Sequence, residues 1–329
     1  MPIALITGVS GQDGQLLAKL LLEKNYVVFG MVNGQRNESA NILVELLPKL
    51  KLVSGDLADI SSLIHVLQET QPDEIYNLGA ISFVGMSFAQ PELTANITGM
   101  GVLRLLEAVR ITGLTEKVRV YQASSSEQFG NVQEMPQSEM TPFYPRSPYG
   151  VAKVFAHNIS VNYREAYGIH ISCGILFNHE SELRGYEFVT RKISSTVARI
   201  SLGLEKEIRL GDLTPKRDWG YAGDYVYAMW LMLQQETPGD YVIATGENHS
   251  VREFLDLAFS IVGMDGQADK YLRIDERFIR PSEVNLLIGN PEKANRILGW
   301  RSLVAFPDLV KRMVLNDLVI EKEKLLRVN

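Results

Sequence analysis

The chain has 329 residues, 46% of them hydrophobic, and carries 33 Lys and Arg against 39 Asp and Glu for a net charge of −6. That is enough apolar material for one large domain or two moderate ones, and it argues against a disordered chain. The basic residues are scattered rather than gathered into a stripe, which argues against nucleic acid as a partner, and no apolar run reaches the roughly 18 residues of a membrane span, so no membrane partner is expected.

The first strand, IALIT, already reads as buried from residue 3, with no basic segment or cleavable small-residue site before it, so no secretory leader is expected. It runs into Gly8-Val9-Ser10-Gly11-Gln12-Asp13-Gly14 and then an amphipathic helix, GQLLAKLLLEK. A glycine turn between strand and helix offers backbone N–H groups and the helix dipole to an anion, where side chains would block its approach. At the head of an alternating pattern this predicts a dinucleotide pyrophosphate site over Gly8, Ser10, Gly11, Gln12, Asp13 and Gly14; the alternative is an ordinary tight turn.

The second strand, YVVFGMV, ends in MVNGQRN. An acid at this point selects NAD through its ribose, and an arginine selects NADP through the 2′-phosphate. Asn33 removes the acid and Arg36 can reach a phosphate, which favours NADP over NAD; the alternative for Arg36 is a solvated loop cation. After helix ESANILVELLPK comes strand LKLVSGD, whose Asp56, followed by Leu57, either accepts from the adenine amino group or begins helix SSLIHVLQET. The fourth strand, EIYNLGA, leads into a segment holding Leu78, Ala80 and Ser82 that is expected to line the far end of the cofactor, and Gly79 lets the chain pass close to it. Helix TGMGVLRLLEAV and strand VRVYQASS complete a run of five strands alternating with four helices. Such alternation predicts an α/β fold: a doubly wound parallel sheet with helices on both faces.

The fifth strand closes on ASSSEQFG. Two dozen residues later SPYGVAK places Tyr149 and Lys153 four residues apart, on one face of a helix continuing through FAHNISVNYREAYG. An ammonium beside a phenol favours the phenolate, so Lys153 is expected to lower the pKa of Tyr149 and let it act as a general base. Ser125 would hydrogen-bond the substrate hydroxyl. Alcohol oxidation needs only these three and the nicotinamide, so Glu127 requires a separate reason. Oxidation of a sugar C4 hydroxyl acidifies the C5 hydrogen, which a carboxylate can remove. Loss of the C6 hydroxyl and return of hydride to C6 then give a 4-keto-6-deoxy sugar. The alternative for Glu127 is a loop carboxylate capping backbone amides.

The single cysteine, Cys173, lies in the apolar run ISCGILF; no intrachain disulfide is possible, a core thiol is expected, and a reducing cytoplasm fits. Beyond residue 176 the alternation loosens into polar segments, FNHESELRGYE and GDLTPKRDWG, that look like site-building loops. A helix is expected over 188–202. In ATGENHSVREF a strand and turn lead to a helix capped by Ser250, with Glu253 three residues on. The dinucleotide domain is therefore assigned to 1–176 plus about 212–246, and a smaller mixed α/β substrate domain to about 177–211 plus 247–329. No metal site is expected.

TGVSGQDG, EIYNLGA, TPFYPRSPYGVAK, GILFNHES, RGYEFVTRKIS, KRDWGYAGDYVYAMWLMLQ and ATGENHSVREF together make the chain resemble the GDP-mannose 4,6-dehydratases, over nearly its whole length. This family lies in the extended short-chain dehydrogenase/reductase superfamily, to which the GxxGxxG spacing also belongs. The resemblance implies a Rossmann fold and a homodimer or homotetramer acting on GDP-mannose to give GDP-4-keto-6-deoxymannose. It puts Ser125 at the family's catalytic hydroxyl, Glu127 at its base, and Tyr149 with Lys153 at its dehydrogenase pair. It implies that His179 and Arg184 contact the cofactor, and that Asn178, Lys192, Arg217, Arg280, Glu283, Ser82 and Ser125 hold the nucleotide sugar. Arginine and lysine donors suit a diphosphate and a carboxylate suits a guanine edge; the alternatives are a local ion pair for Arg217-Asp218 and a surface cation for Arg280. Asn33-Gly34 stand where the family usually carries two arginines, and Ile81 where it usually has glutamine. NADP against NAD, dimer against tetramer, and mannose against a heptose or N-acetylhexosamine stay open, as do a GDP-sugar reductase or epimerase. A pair of outer helices near 90–112 and 148–167 could form a dimer's four-helix bundle.

Overall fold

Short apolar runs become strands here because helices cover both faces of the sheet they form. The computed structural model describes residues 1–34, 38–278, 282, 284 and 286–328. Strands β1 (Ile3–Thr7), β2 (Val27–Val32), β3 (Lys51–Ser54), β4 (Glu74–Asn77) and β5 (Arg119–Ser125) follow the five predicted strands, and β6 (His170–Leu176) forms from the apolar run around Cys173. Four short strands come next: β7 (Asn178–Glu180), β8 (Ile208–Leu210), β9 (Lys216–Arg217) and β10 (Trp219–Tyr221). They are followed by β11 (Asp240–Ile243), β12 (His249–Ser250) and β13 (Leu272–Ile274). One seven-stranded sheet runs in the order β11-β6-β5-β4-β1-β2-β3, all its pairs parallel. The chain reverses direction across the sheet between β1 and β4, and ligands of open α/β sheets lie beyond the strand ends at such a point.

The sheet is flanked by helices α1 (Gln12–Glu23), α2 (Glu38–Leu46), α3 (Ile60–Thr70), α4 (Val84–Ala89), α5 (Pro91–Thr94), α6 (Gly101–Ile111) and α7 (Pro148–Tyr167). The predicted TGMGVLRLLEAV helix starts as a wide turn over Ala95–Met100 before tightening into α6. Then come α8 (Val189–Ser201), α9 (Ala222–Gln234), α10 (Val251–Ile261), α11 (Ala268–Tyr271), α12 (Glu292–Leu298) and α13 (Phe306–Val328). Among the described residues no helix is long and apolar enough to cross a membrane.

Side chains alternate across each strand, so β1 divides its apolar residues between two cores. Ala4 and Ile6 join Leu17, Leu21, Tyr225 and Met229 on the α1 and α9 side. Leu5 joins Leu63, Val66, Leu105, Val109 and Cys173 on the α3, α6 and α7 side. Cys173 is a free, buried thiol, as expected of a core residue, and burial holds its pKa well above the ordinary value. A third core joins α8, α10 and α13 through Ile193, Val197, Trp219, Phe254, Leu309 and Met313. Each fully buried side chain of this kind contributes about 1.5–3 kcal/mol.

Ser250 caps α10 as predicted, accepting from the Glu253 N–H at 3.1 Å. The Glu253 carboxylate turns instead to His249 Nδ1, 2.9 Å away. Residues 292–300 were grouped by sequence with the smaller part, yet Ala294, Leu298 and Trp300 pack in the α1 and α9 core. The Trp300 indole donates to the Asp224 carbonyl at 2.8 Å. The polar segments after β6 hold short ribbons: β7 pairs in parallel with β10 and β12 runs antiparallel to β9.

Candidate active site

A cavity of about 1130 Å³ opens at the carboxyl ends of the central strands, above the roughly 300–1,000 Å³ of a typical small-molecule site. Polar side chains set its floor. Thr7 Oγ1 donates to Asn77 Oδ1 at 2.7 Å and accepts from the Gly79 N–H at 3.0 Å. Asn77 donates in turn to Gln122 at 2.8 Å, which ties β1, β4 and β5 together at their ends.

The glycine turn behaves as its spacing predicts. Gly8 has φ +69°, and a Cβ there would meet Gly79 Cα at 2.9 Å. A Cβ on Gly14 would lie 2.4 Å from the Gly8 carbonyl oxygen, so α1 can pack here only with glycine. Gly11 differs: a Cβ would come no nearer than 3.4 Å to the protein, so its open side faces the cavity rather than other chain atoms. Gly11 is also the N-cap of α1 and supplies no capping side chain, whereas Asp59, Ser147 and Ser250 cap α3, α7 and α10. Uncapped N–H groups, helix dipole and open space together fit a dinucleotide diphosphate.

Asp13, in the first turn of α1, accepts from His179 Nε2 at 2.7 Å, while His179 Nδ1 lies 2.7 Å from the Phe177 carbonyl. Burial alone would raise the Asp13 carboxyl and lower the imidazole, but their mutual attraction and hydrogen bond prevail. Asp13 therefore lies below its ordinary pKa and His179 above. Gln12 reinforces the crossing, donating to the His179 carbonyl at 3.1 Å and accepting from Ser181 at 2.8 Å. The segment after β6 is thus fixed to the glycine turn. Gly8, Gly11, Gln12, Asp13, Gly14, Leu78, Ala80, Ser82, His179 and Arg184 all line the cavity.

Ser10, Asp56 and Leu57 lie outside the cavity wall. Asp56 accepts from the Ala58 N–H at 2.7 Å in the turn ahead of α3, whose cap is Asp59, and Leu57 packs into the α3 and α6 core. Gly34, at φ +72°, offers its carbonyl to Ser54 at 3.2 Å. Arg36, Arg280 and Glu283 fall outside the described residues. Ile81 is not part of the wall; its N–H donates to Thr98 at 3.1 Å.

Ser125, Glu127, Tyr149 and Lys153 line one region of the cavity. Ser125 ends β5, and its Oγ accepts from the Glu127 N–H at 3.2 Å, so a short turn over Ser126–Gln128 carries Glu127 beside it. Pro148 at the first turn and the Ser147 cap start α7 where Tyr149 and Lys153 face the same cavity. The Tyr149 hydroxyl hydrogen-bonds to Ser125. Lys153 Nζ donates to the Ala123 carbonyl at 2.7 Å and lies 5.7 Å from the centre of the Tyr149 ring.

The lowered pKa expected of Tyr149 is not found in the protein alone. Burial pushes Tyr149 up to about 12, with the Ser125 hydrogen bond working against that rise and the Glu127 charge adding to it. Burial pushes Lys153 down to about 8. Desolvation disfavours each charged form and is the largest cause of both shifts. Lys153 also gives a stability prediction. Its contribution is fully present above the ordinary value of 10.5 and is lost as pH falls through about 8, where the buried amine must charge. Lys153→Met should flatten that dependence in ligand-free protein, checked by urea unfolding between these two pH values.

Asn178, Lys192 and Arg217 also line the cavity. The Lys192 ammonium sits 3.3 Å from the Phe278 ring centre, and burial lowers its pKa. Arg217 donates to the Lys216 carbonyl at 3.0 Å. The neighbouring Asp218 accepts from Thr245 N–H and Oγ1, Gly246 N–H and Gly289 N–H at 2.7–3.2 Å, so it serves as a backbone clamp.

Sequence reasoning missed several wall residues, among them Phe83, Phe188, Arg277 and Phe278. Phe83 meets Phe188 edge to face at 5.8 Å, and the Arg184 guanidinium lies 3.4 Å from the Phe188 ring centre. Arg277 and Phe278 sit in the same short run as Arg280, which was the available signal. The buried Arg191 holds this wall in place: it pairs with Asp317 of α13 at 2.7 Å and donates to the Glu182 carbonyl.

The family model described as GDP-mannose 4,6 dehydratase matches residues 5–313. A GDP-mannose 4,6 dehydratase of Dictyostelium discoideum is 49% identical over 340 residues, covering 96% of this chain and 96% of its own. The Homo sapiens enzyme of that name is 50% identical, over 96% of this chain and 91% of its own. Among solved structures, a dTDP-glucose 4,6-dehydratase from Streptomyces venezuelae with NAD bound superposes with TM-score 0.84 at 23% identity, over 98% of each chain. That last likeness is one of fold.

Proposed function

The chain belongs to the GDP-mannose 4,6-dehydratase family, and from that premise we propose that it converts GDP-mannose to GDP-4-keto-6-deoxymannose. The observation that carries this reading is a carboxylate, Glu127, lining the same cavity as Ser125, Tyr149 and Lys153. A reductase or epimerase needs the last three alone.

Gly8, Gly11, Asp13, Gly14, His179 and Arg184 would hold NADP, or NAD, and its nicotinamide supplies reversible storage of a hydride. Ser125 and Tyr149 grip the C4 hydroxyl, and Tyr149 takes its proton as the C4 hydride departs. Lys153 orients the ribose and adds positive charge beside the phenol. Glu127 removes the C5 proton, made acidic by the new ketone, and delivers it to the C6 hydroxyl, which leaves as water. Return of the stored hydride to C6 would be matched at C5 by a proton equivalent to the one Tyr149 took from the C4 hydroxyl, so the sum is loss of one water with no net redox change. Asn178, Lys192 and Arg217 would bind the nucleotide sugar, with donors suited to a diphosphate.

Incubation of the purified protein with GDP-mannose and NADP or NAD tests this. The expected product is lighter by one water and carries a 4-keto group, and mass analysis of retained cofactor identifies the dinucleotide. An unchanged substrate with both cofactors, beside turnover of another GDP-sugar, would overturn the choice of mannose.

We assign the dinucleotide unit to 1–176 plus about 212–246 and the sugar-nucleotide unit to the rest, with residues 292–300 moved to the first unit because of their packing. We further propose a homodimer through α6 with its leading turn and α7, which leave Met100, Ile111, Val151, Phe155 and Tyr167 exposed. Val151→Glu should halve the mass seen by light scattering. A wild-type mass of one chain would remove the proposal, and a fourfold mass would require a second interface.

A further inference from the structure

We infer that His179 stands as an imidazolium whose charge cancels that of Asp13, and that this cancellation lets an anionic cofactor diphosphate settle against a turn that carries a carboxylate. The two ring nitrogens decide the first half. Nε2 lies 2.7 Å from one Asp13 carboxylate oxygen, and Nδ1 lies 2.7 Å from the Phe177 carbonyl oxygen. A carbonyl and a carboxylate only accept, so both nitrogens donate, which an imidazole does only when doubly protonated. The other Asp13 oxygen accepts from Gln12 Nε2 at 3.0 Å, and two donors on one carboxyl favour its ionised form. The raised pKa of His179 and the lowered one of Asp13 agree with this assignment.

Asp13 lies in the first turn of α1, and both it and His179 line the cavity. The positive end of the helix dipole attracts a carboxylate as well as a phosphate. Uncompensated, Asp13 would compete with the diphosphate for that dipole and repel it. Arg184 is already engaged, 3.0 Å from the buried Glu180 carboxylate, so the cation in contact with Asp13 is His179. Its ring is placed by stacking on Tyr225 of α9, 4.6 Å between centres. Tyr121 of β5 and Tyr149 and Lys153 of α7 also feel the Asp13 charge. Burial raises all three phenols and keeps them neutral, whereas Lys153 titrates at about 8. The sign follows: as pH rises His179 loses its proton, the Asp13 charge is exposed, and cofactor affinity falls.

The pair has this role only if the glycine turn holds the cofactor, as proposed above, and the experiment separates the two. Wild type, His179→Gln, Asp13→Asn and the double variant are titrated with NADP and with NAD by calorimetry, and folding is followed by circular dichroism. His179→Gln leaves the pair with one negative charge and should bind roughly 10- to 100-fold more weakly, the effect of a like charge a few ångströms from the ligand. Adding Asp13→Asn should restore most of that loss, because the pair is neutral again. Were His179 needed instead for its own contact with the cofactor, the double variant would stay as weak as the single one. Above the ordinary histidine value of 6.5, wild-type affinity should fall with pH more than that of Asp13→Asn, whose imidazole, buried and without its carboxylate, is already neutral. Lys153 is common to both proteins and cancels in the comparison. Should His179→Gln fail to fold, these two pH profiles decide alone. A double variant no tighter than His179→Gln, a His179→Gln that binds as wild type does, or identical pH profiles for wild type and Asp13→Asn would overturn the inference. Wild-type protein that binds neither dinucleotide would overturn the cofactor reading, and the inference with it.

Discussion

Glu127→Gln is expected to lower the rate of dehydration by about 10²–10⁴-fold, the usual contribution of a positioned general base. The substitution keeps shape and volume, which matters because Glu127 is only 8% exposed and packs beneath α7. The amide cannot take the C5 proton, so the pathway should stop after C4 oxidation. Product analysis should then show a nucleotide sugar that has not lost water, together with reduced nicotinamide that persists. Thermal unfolding should stay near that of wild type. A variant that still eliminates water at the normal rate would show that another group is the base, and the case for a dehydratase over a reductase or epimerase would lose its chief support.

Tyr149→Phe should act one step earlier, removing C4 oxidation itself by about 10²–10⁴-fold in kcat with little change in KM, since the lost interaction matters in the transition state. Neither reduced cofactor nor 4-keto product should form. The wild-type pH dependence has a definite sign. Burial holds Tyr149 up at about 12, so the phenol keeps its proton at neutral pH in the protein alone. Activity should rise with pH as the phenolate becomes accessible. Ser125 works to lower that pKa, so Ser125→Ala should move the rise to higher pH as well as slow the reaction. An alkaline limb that ignored Ser125 would mean that some other group sets it.

Much of this was legible before the fold. The strand and helix alternation of the first 176 residues, the glycine turn, the Tyr149-Lys153 spacing and the Ser250 cap all depend on neighbours within a few residues, and all appear where expected. The Asp13–His179 contact was not legible as a contact, because it joins residues 166 apart. Arg191 looked like any helical cation, yet its partner, Asp317, lies in the last helix.

The Tyr149-Lys153 pair shows where the division falls. Its spacing and helical face followed from the sequence alone, since helical periodicity is a property of consecutive residues. The direction of each pKa shift did not: it depends on how much water the surrounding chain excludes, and burial moved Tyr149 against the expectation and lowered Lys153. Residue order determined the elements, their alternation and the chemical types available to the site. Tertiary structure decided which of those groups meet, at what distance and in how dry a medium, because desolvation and long-range pairing are set by neighbours that the local pattern does not name.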